Sequence, residues 1–126
     1  MTSSAVDPSL IHFFTTNSLE KRKAVSSRLL NTYPDRVPVI VSRADLRSTP
    51  DIDKHKFIVP SDSSFGSFMV EVRKHIPTLH PSTGLFFFLS DNTLPQSTAF
   101  MSTLYDRHKA SDGFLYLTFS CENTFG

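Results

Sequence analysis

Residues 57–77 read FIVPSDSSFGSFMVEVRKHIP, and this stretch decides the fold. Phe57-Ile58-Val59 is a short β-prone run stopped by Pro60. Asp62-Ser63-Ser64 then supplies side chains that accept hydrogen bonds from the open N–H groups at a helix start. Phe65, Phe68, Met69, Val72 and Ile76 follow at helical spacing, and Pro77 closes the segment, so the pattern predicts an amphipathic helix with one buried stripe.

Upstream, Val37-Pro38-Val39-Ile40-Val41 predicts a strand. Pro38 has no N–H to give to a ladder, which puts it at the strand's start or the strand at a sheet edge. The polar stretch 42–53 predicts an irregular connection between two antiparallel strands. Further upstream, Asn17 with Glu20 resembles a capping box. Val25, Leu29 and Tyr33 recur at i+4, so a helix is expected to about Asn31, ending before Pro34. Residues 1–16 mix serines with Leu10, Ile11, Phe13 and Phe14. They either dock on the domain or form a short helix after Pro8.

Downstream, Leu85-Phe86-Phe87-Phe88-Leu89 reads as a strand covered on both faces, turned by Ser90-Asp91-Asn92. Phe100, Met101, Leu104, Tyr105 and His108 form another helical stripe. Asp112-Gly113 is a turn, and 114–119 a last strand. Strand pair, helix, strand, helix, strand is the order of an α+β β-grasp domain, in which a mostly antiparallel sheet wraps one helix and the final strand lies centrally. Function does not follow from such a fold.

The 126 residues fit one domain with an extension, and 39% hydrophobic against 20% charged residues marks a globular chain. A net charge of +1 gives no global field for nucleic acid, which is not expected as a partner. The lone Cys121 excludes an internal disulfide and builds no thiolate zinc site, and its use fits a reducing compartment. The five histidines share no metal-ligand spacing with carboxylates. Neither metal nor cofactor is therefore expected. No apolar run approaches the ~20 residues that span a bilayer, and neither a secretory signal nor an N-myristoyl glycine is expected at the N-terminus.

Several blocks resemble the autophagy ubiquitin-like modifiers of the GABARAP and light-chain type. They are Glu20-Lys21-Arg22-Lys23-Ala24, Tyr33-Pro34-Asp35-Arg36-Val37-Pro38-Val39-Ile40, Ile52-Asp53-Lys54 and Lys56-Phe57-Ile58-Val59-Pro60. Closer still are Leu94-Pro95, Met101-Ser102, His108-Lys109, Asp112-Gly113-Phe114-Leu115-Tyr116 and Glu122-Asn123-Thr124-Phe125-Gly126. The resemblance implies a ubiquitin-like β-grasp with two additional N-terminal helices. It divides the chain into an extension, 1–18, and a ubiquitin-like domain with its preceding helix and exposed tail, 19–126.

The family also implies conjugation of Gly126 to phosphatidylethanolamine on the autophagosomal membrane, hence a lipid-anchored and a cytoplasmic pool. Activating and conjugating enzymes and a cysteine peptidase acting on the tail are the implied partners. The chain brings a carboxylate and no catalytic machinery; a residue without Cβ suits entry of the reacting carbon into a narrow channel. A chain ending in glycine is expected to be a processed form, a truncated one, or one that needs no processing.

Receptors of the family carry an aromatic residue, two spacers and an aliphatic residue, and add a strand to the sheet edge. Carried over, the aromatic pocket is Val25, Leu29, Pro38, Ile40, Lys56, Ile58 and Phe114. The aliphatic pocket is Phe57, Val59, Pro60, Phe68 and Val72, with Lys54, Lys56 and Arg36 meeting an acidic flank. In the alternation Lys54-His55-Lys56-Phe57 both lysines share one face if the segment is extended. Many of these apolar positions also suit plain core packing.

This sequence departs from the family at Ser63 and Glu71, where apolar residues usually line the aliphatic pocket, at His75, often Arg, and at Cys121, a glycine. The alternative is a β-grasp peptide-binding module that is never conjugated; a thiol enzyme using Cys121 has no histidine near it in sequence.

Overall fold

The computed structural model describes residues 7–44, 46 and 49–121. Its elements are α1 (Pro8–Thr16), α2 (Leu19–Thr32), β1 (Arg36–Arg43), β2 (Lys56–Pro60), α3 (Phe65–Arg73), β3 (Phe86–Phe88), α4 (Met101–His108) and β4 (Leu115–Ser120). The sheet order is β2-β1-β4-β3. β1 pairs antiparallel with β2 and parallel with β4, and β3 pairs antiparallel with β4. This is the expected α+β ubiquitin-like β-grasp with two helices before it, and the last strand is central.

Period-two alternation sorts the sheet into two faces. Val37, Val39, Val41, Phe57, Val59, Leu115, Leu117 and Phe119 bury against Phe65, Phe68 and Val72 of α3 and Met101 and Leu104 of α4. The opposite face lies under α1 and α2: Phe13 meets Phe114 edge-on at 5.8 Å, and Phe14 meets Tyr116 at 5.7 Å.

Local chemistry explains α3. The Ser64 side chain accepts from Ser67 N–H at 3.1 Å, and the helix runs from there. Hydrogen bonds from His75 to Val72 and Ile76 to Arg73 continue it as tight turns, which keeps Ile76 buried beyond the helix end. α4 begins one residue later than the stripe suggests, because Phe100 sits at the N-cap and is 56% exposed.

Two expectations are corrected. Ser18 caps α2, accepting from Lys21 N–H at 3.2 Å. Asn17 instead closes α1, its amide donating to Phe13 O at 2.9 Å; with two helices so close, the hydroxyl one residue nearer the second takes that cap. And of the two placements open to Pro38, the edge is the one overturned: β1 is interior, and Pro38 lies near its start, ahead of the parallel pairing with β4 that begins at Val39.

Buried carboxylates fix the outer helices. Asp7 caps α1 through Ser9 N–H at 3.0 Å and accepts from Arg43 N–H at 2.9 Å, tying α1 to the end of β1. Asp112 accepts from Arg22 Nε at 2.9 Å, from Phe114 N–H at 3.0 Å and from the Tyr116 hydroxyl. Next to it Gly113 holds φ +86°, and a Cβ there would lie 2.4 Å from Ser26 Oγ, so the turn takes glycine.

Burial, and then the bond to Asp112, push the Tyr116 phenol up from its ordinary 10.0. A raised phenol keeps its proton in the fold after the unfolded chain has lost it. This contribution is therefore whole below pH 10 and fades as pH climbs above it. Tyr116→Phe is expected to flatten the alkaline loss of stability, read from urea midpoints across a pH series.

Candidate functional site

β2 ends the sheet: among the described residues, no strand pairs with its outer edge. Such an edge offers a row of backbone donors and acceptors to another extended chain. Within β2, Phe57 and Val59 point into the core, while Lys56 and Ile58 belong to the outer face opposite Ile40 and Pro38.

A cavity flanks this strand on each face. On the outer side, one of about 620 Å³ lies between α1 and the β1–β2 pair, lined by Leu10, His12, Phe13, Ile40, His55 and Lys56 among others. On the α3 side, one of about 370 Å³ is lined by Arg36, Lys54, Phe57, Ile58, Val59, Pro60, Ser63, Ser67, Phe68 and Glu71.

The residues assigned to an aromatic pocket divide. Ile40 and Lys56 line the outer cavity, whereas Val25 and Leu29 are half-buried on α2 and Pro38 is buried opposite Ile58, none of them lining either cavity. Ile58 lines the α3-side cavity. Phe114 is fully buried beneath Phe13. Of the aliphatic set, Phe57, Val59, Pro60 and Phe68 line one cavity, and Val72 is sealed in the core at 0% exposure.

Arg36 and Lys54 border the α3-side cavity and Lys56 the outer one. Lys54 thus does not share a cavity with Lys56. β2 begins only at Lys56, so strand alternation does not reach Lys54, whose ammonium rests 4.9 Å from the centroid of the Phe57 ring. Gly126 lies outside the described residues.

The short helix after Pro8, one of the two readings open for residues 1–16, is α1, although the sequence did not show that it would line a cavity. Leu10 and Phe13 share its inner face at i, i+3, and Asp7-Pro8 is a start signal that was available. His75 Nδ1 donates to Asp53 Oδ1 at 2.8 Å, its Nε2 lies 3.5 Å from Glu71, and its ring packs edge-on against Phe57. The described residues hold no group of three metal-ligating side chains and no helix long and apolar enough to cross a membrane.

A sheet gripping α3, two helices on its outer face and an open edge strand between two cavities define a ubiquitin-like protein with a helical N-terminal addition. The family described as "Autophagy protein Atg8 ubiquitin like" matches residues 21–126. The chain is 50% identical over 114 residues to Autophagy-related protein 8a of Arabidopsis thaliana, covering 90% of this chain and 92% of that one. It is 48% identical to Autophagy-related protein 8 of Mycosarcoma maydis, covering 90% and 95%. Among solved structures, Trypanosoma brucei ATG8 superposes with a TM-score of 0.74 at 32% identity, covering 86% of this chain and 91% of that one. Plasmodium falciparum Atg8, in complex with a peptide of Plasmodium falciparum Atg3, gives 0.76 at 31% identity, covering 86% and 94%. This chain belongs to the Atg8 family of autophagy ubiquitin-like proteins.

Proposed function

We propose that this chain reads short extended peptides along the edge of β2 and is conjugated through Gly126 to phosphatidylethanolamine of the autophagosomal membrane, with a second pool in the cytoplasm. One observation carries the peptide reading: the two cavities lie on opposite faces of β2, whose outer edge pairs with no strand among the described residues. In an extended peptide, residues i and i+3 point to opposite faces and stand about 10 Å apart. An aromatic-x-x-aliphatic motif added beside β2 therefore sends one anchor to each cavity. Backbone bonds supply register, and the anchors supply most of the energy. Arg36, Lys54 and Lys56 favour acidic residues beside the motif.

Conjugation rests on the family and on the tail 122–126. ATP converts the Gly126 carboxylate into an acyl adenylate with loss of pyrophosphate. The activating enzyme's thiol displaces AMP, the acyl group passes to the conjugating enzyme's thiol, and the lipid amine expels that thiol to form an amide. The chain's own side chains perform none of these steps. The Atg3 peptide on the Plasmodium relative supports a conjugating enzyme as partner; the activating enzyme, a cysteine peptidase that trims or releases the tail, and motif-bearing receptors complete the set.

Reversing one rim charge tests the groove. Lys56→Glu is expected to weaken an acidic-flanked aromatic-x-x-aliphatic peptide on the order of tenfold and to reduce its salt dependence. Isothermal calorimetry at two salt concentrations reads both, and unchanged affinity and slope would remove Lys56 from the site.

A further inference from the structure

Building on the groove reading above, we infer that the α3-side cavity prefers a ligand side chain with an apolar body and a neutral hydrogen-bond-donating tip, such as tyrosine or glutamine, over a branched aliphatic one. Glu71 sets the preference. The floor of the cavity is apolar, made of Phe57, Val59 and Phe68, exposed by 3%, 7% and 2%. Its α3 wall is not. Ser67 and Glu71 stand one turn apart on the same face of the helix, and Ser63 stands just before it.

The wall offers acceptors. The Ser63 hydroxyl has already given its proton to Pro60 O at 2.7 Å, leaving its oxygen lone pairs. Glu71 has only longer contacts, 3.6 Å to Lys74 and 3.5 Å to His75, so its carboxylate keeps acceptor capacity for a close donor. A branched aliphatic tip would displace water from that carboxylate and return no hydrogen bond. A donor at the end of a flat or unbranched apolar stem covers the phenylalanine floor and meets the carboxylate.

Charge separates a neutral donor from a cation. Arg36 and Lys54 line the same cavity, and Lys74 already lies beside Glu71. A lysine from the ligand would enter among like charges and lose hydration as it did so.

The test uses the whole chain and peptides identical except at the residue aimed at this cavity, which is leucine, glutamine, tyrosine or lysine. By calorimetry, the wild-type chain is expected to bind the tyrosine or glutamine peptide about tenfold tighter than the leucine peptide. Glu71→Leu is expected to reverse that order, and Glu71→Gln, which keeps the shape, to reduce it without reversal. Tightest binding of leucine by the wild type, or an order untouched by Glu71→Leu, would overturn the inference while leaving the groove intact. Tightest binding of lysine would overturn the neutral-tip part of the claim. Failure of every peptide to bind would overturn the groove and the inference together.

Discussion

Removing Gly126 is expected to abolish transfer of this chain to phosphatidylethanolamine, and Gly126→Ala to slow it by about a hundredfold. In the proposed conjugation the reacting carbon is the Gly126 carboxyl carbon, whose carboxylate must reach ATP in the adenylation and which must then meet an enzyme thiol twice and the lipid amine last. A Cβ at that carbon's neighbour widens the chain where it is threaded and narrows the backbone's choice of φ. Small displacements of a reacting group are costly out of proportion to their size, hence the estimate for alanine. Deletion leaves Phe125 as the acyl donor, far bulkier still. The assay combines chain, activating and conjugating enzymes, ATP and vesicles containing phosphatidylethanolamine, and follows the lipidated band. An undiminished band after deletion would overturn the assignment. Cys121→Ser should leave the band in place, because the proposed acyl transfers do not use this thiol.

Asp112→Ala is expected to cost about 3–5 kcal/mol of folding stability, measured by denaturant unfolding. The carboxylate is 3% exposed and serves a guanidinium, a backbone N–H and a phenol at once. Its loss strands Arg22, itself only 15% exposed, and leaves Phe114 N–H without its acceptor. Those orphaned groups, rather than the strength of the ion pair, dominate the cost. Arg22 also donates to Asn17 O at 2.7 Å and stacks over Phe14, so the same substitution should loosen α1 where it meets α2. In a double-mutant cycle with Arg22→Ala, the two changes should be strongly non-additive.

The parts of the fold that local chemistry decides were legible in the sequence. Ser64 and the stripe from Phe65 to Ile76 announce α3 locally, and the carbonyls of Ser97 and Ala99 complete its start. The apolar run from Leu85 to Leu89 announces a strand, and Phe87 and Phe88 of β3 are buried. Long-range pairing was not legible at Pro38: β1 is interior because a strand from the far end of the chain lies parallel to it, and the proline is accommodated because that strand starts one residue later. Nor could periodicity place Asp7, whose role depends on Arg43 being folded back beside it.

The candidate site was harder to read for a different reason. Phe57 and Phe68 are core residues that also floor a cavity, while Val72 and Phe114, of the same chemical kind, are fully closed off. Sequence pattern reports burial and is silent on which buried side chain keeps one surface open. Lys54 and Lys56 show the limit of alternation, which holds only inside the strand.

Opposed cavities across a single edge strand make a demand on spacing that no contact list shares. Anchors three residues apart reach both faces; anchors two residues apart reach the same face twice. Calorimetry with a matched pair of peptides, aromatic-x-x-aliphatic and the same sequence with one spacer deleted, tests this directly. The shortened peptide is expected to lose one anchor's burial, about 1.5–3 kcal/mol, or roughly 10–100-fold in affinity. Equal affinities for the two would contradict an edge strand read from both faces.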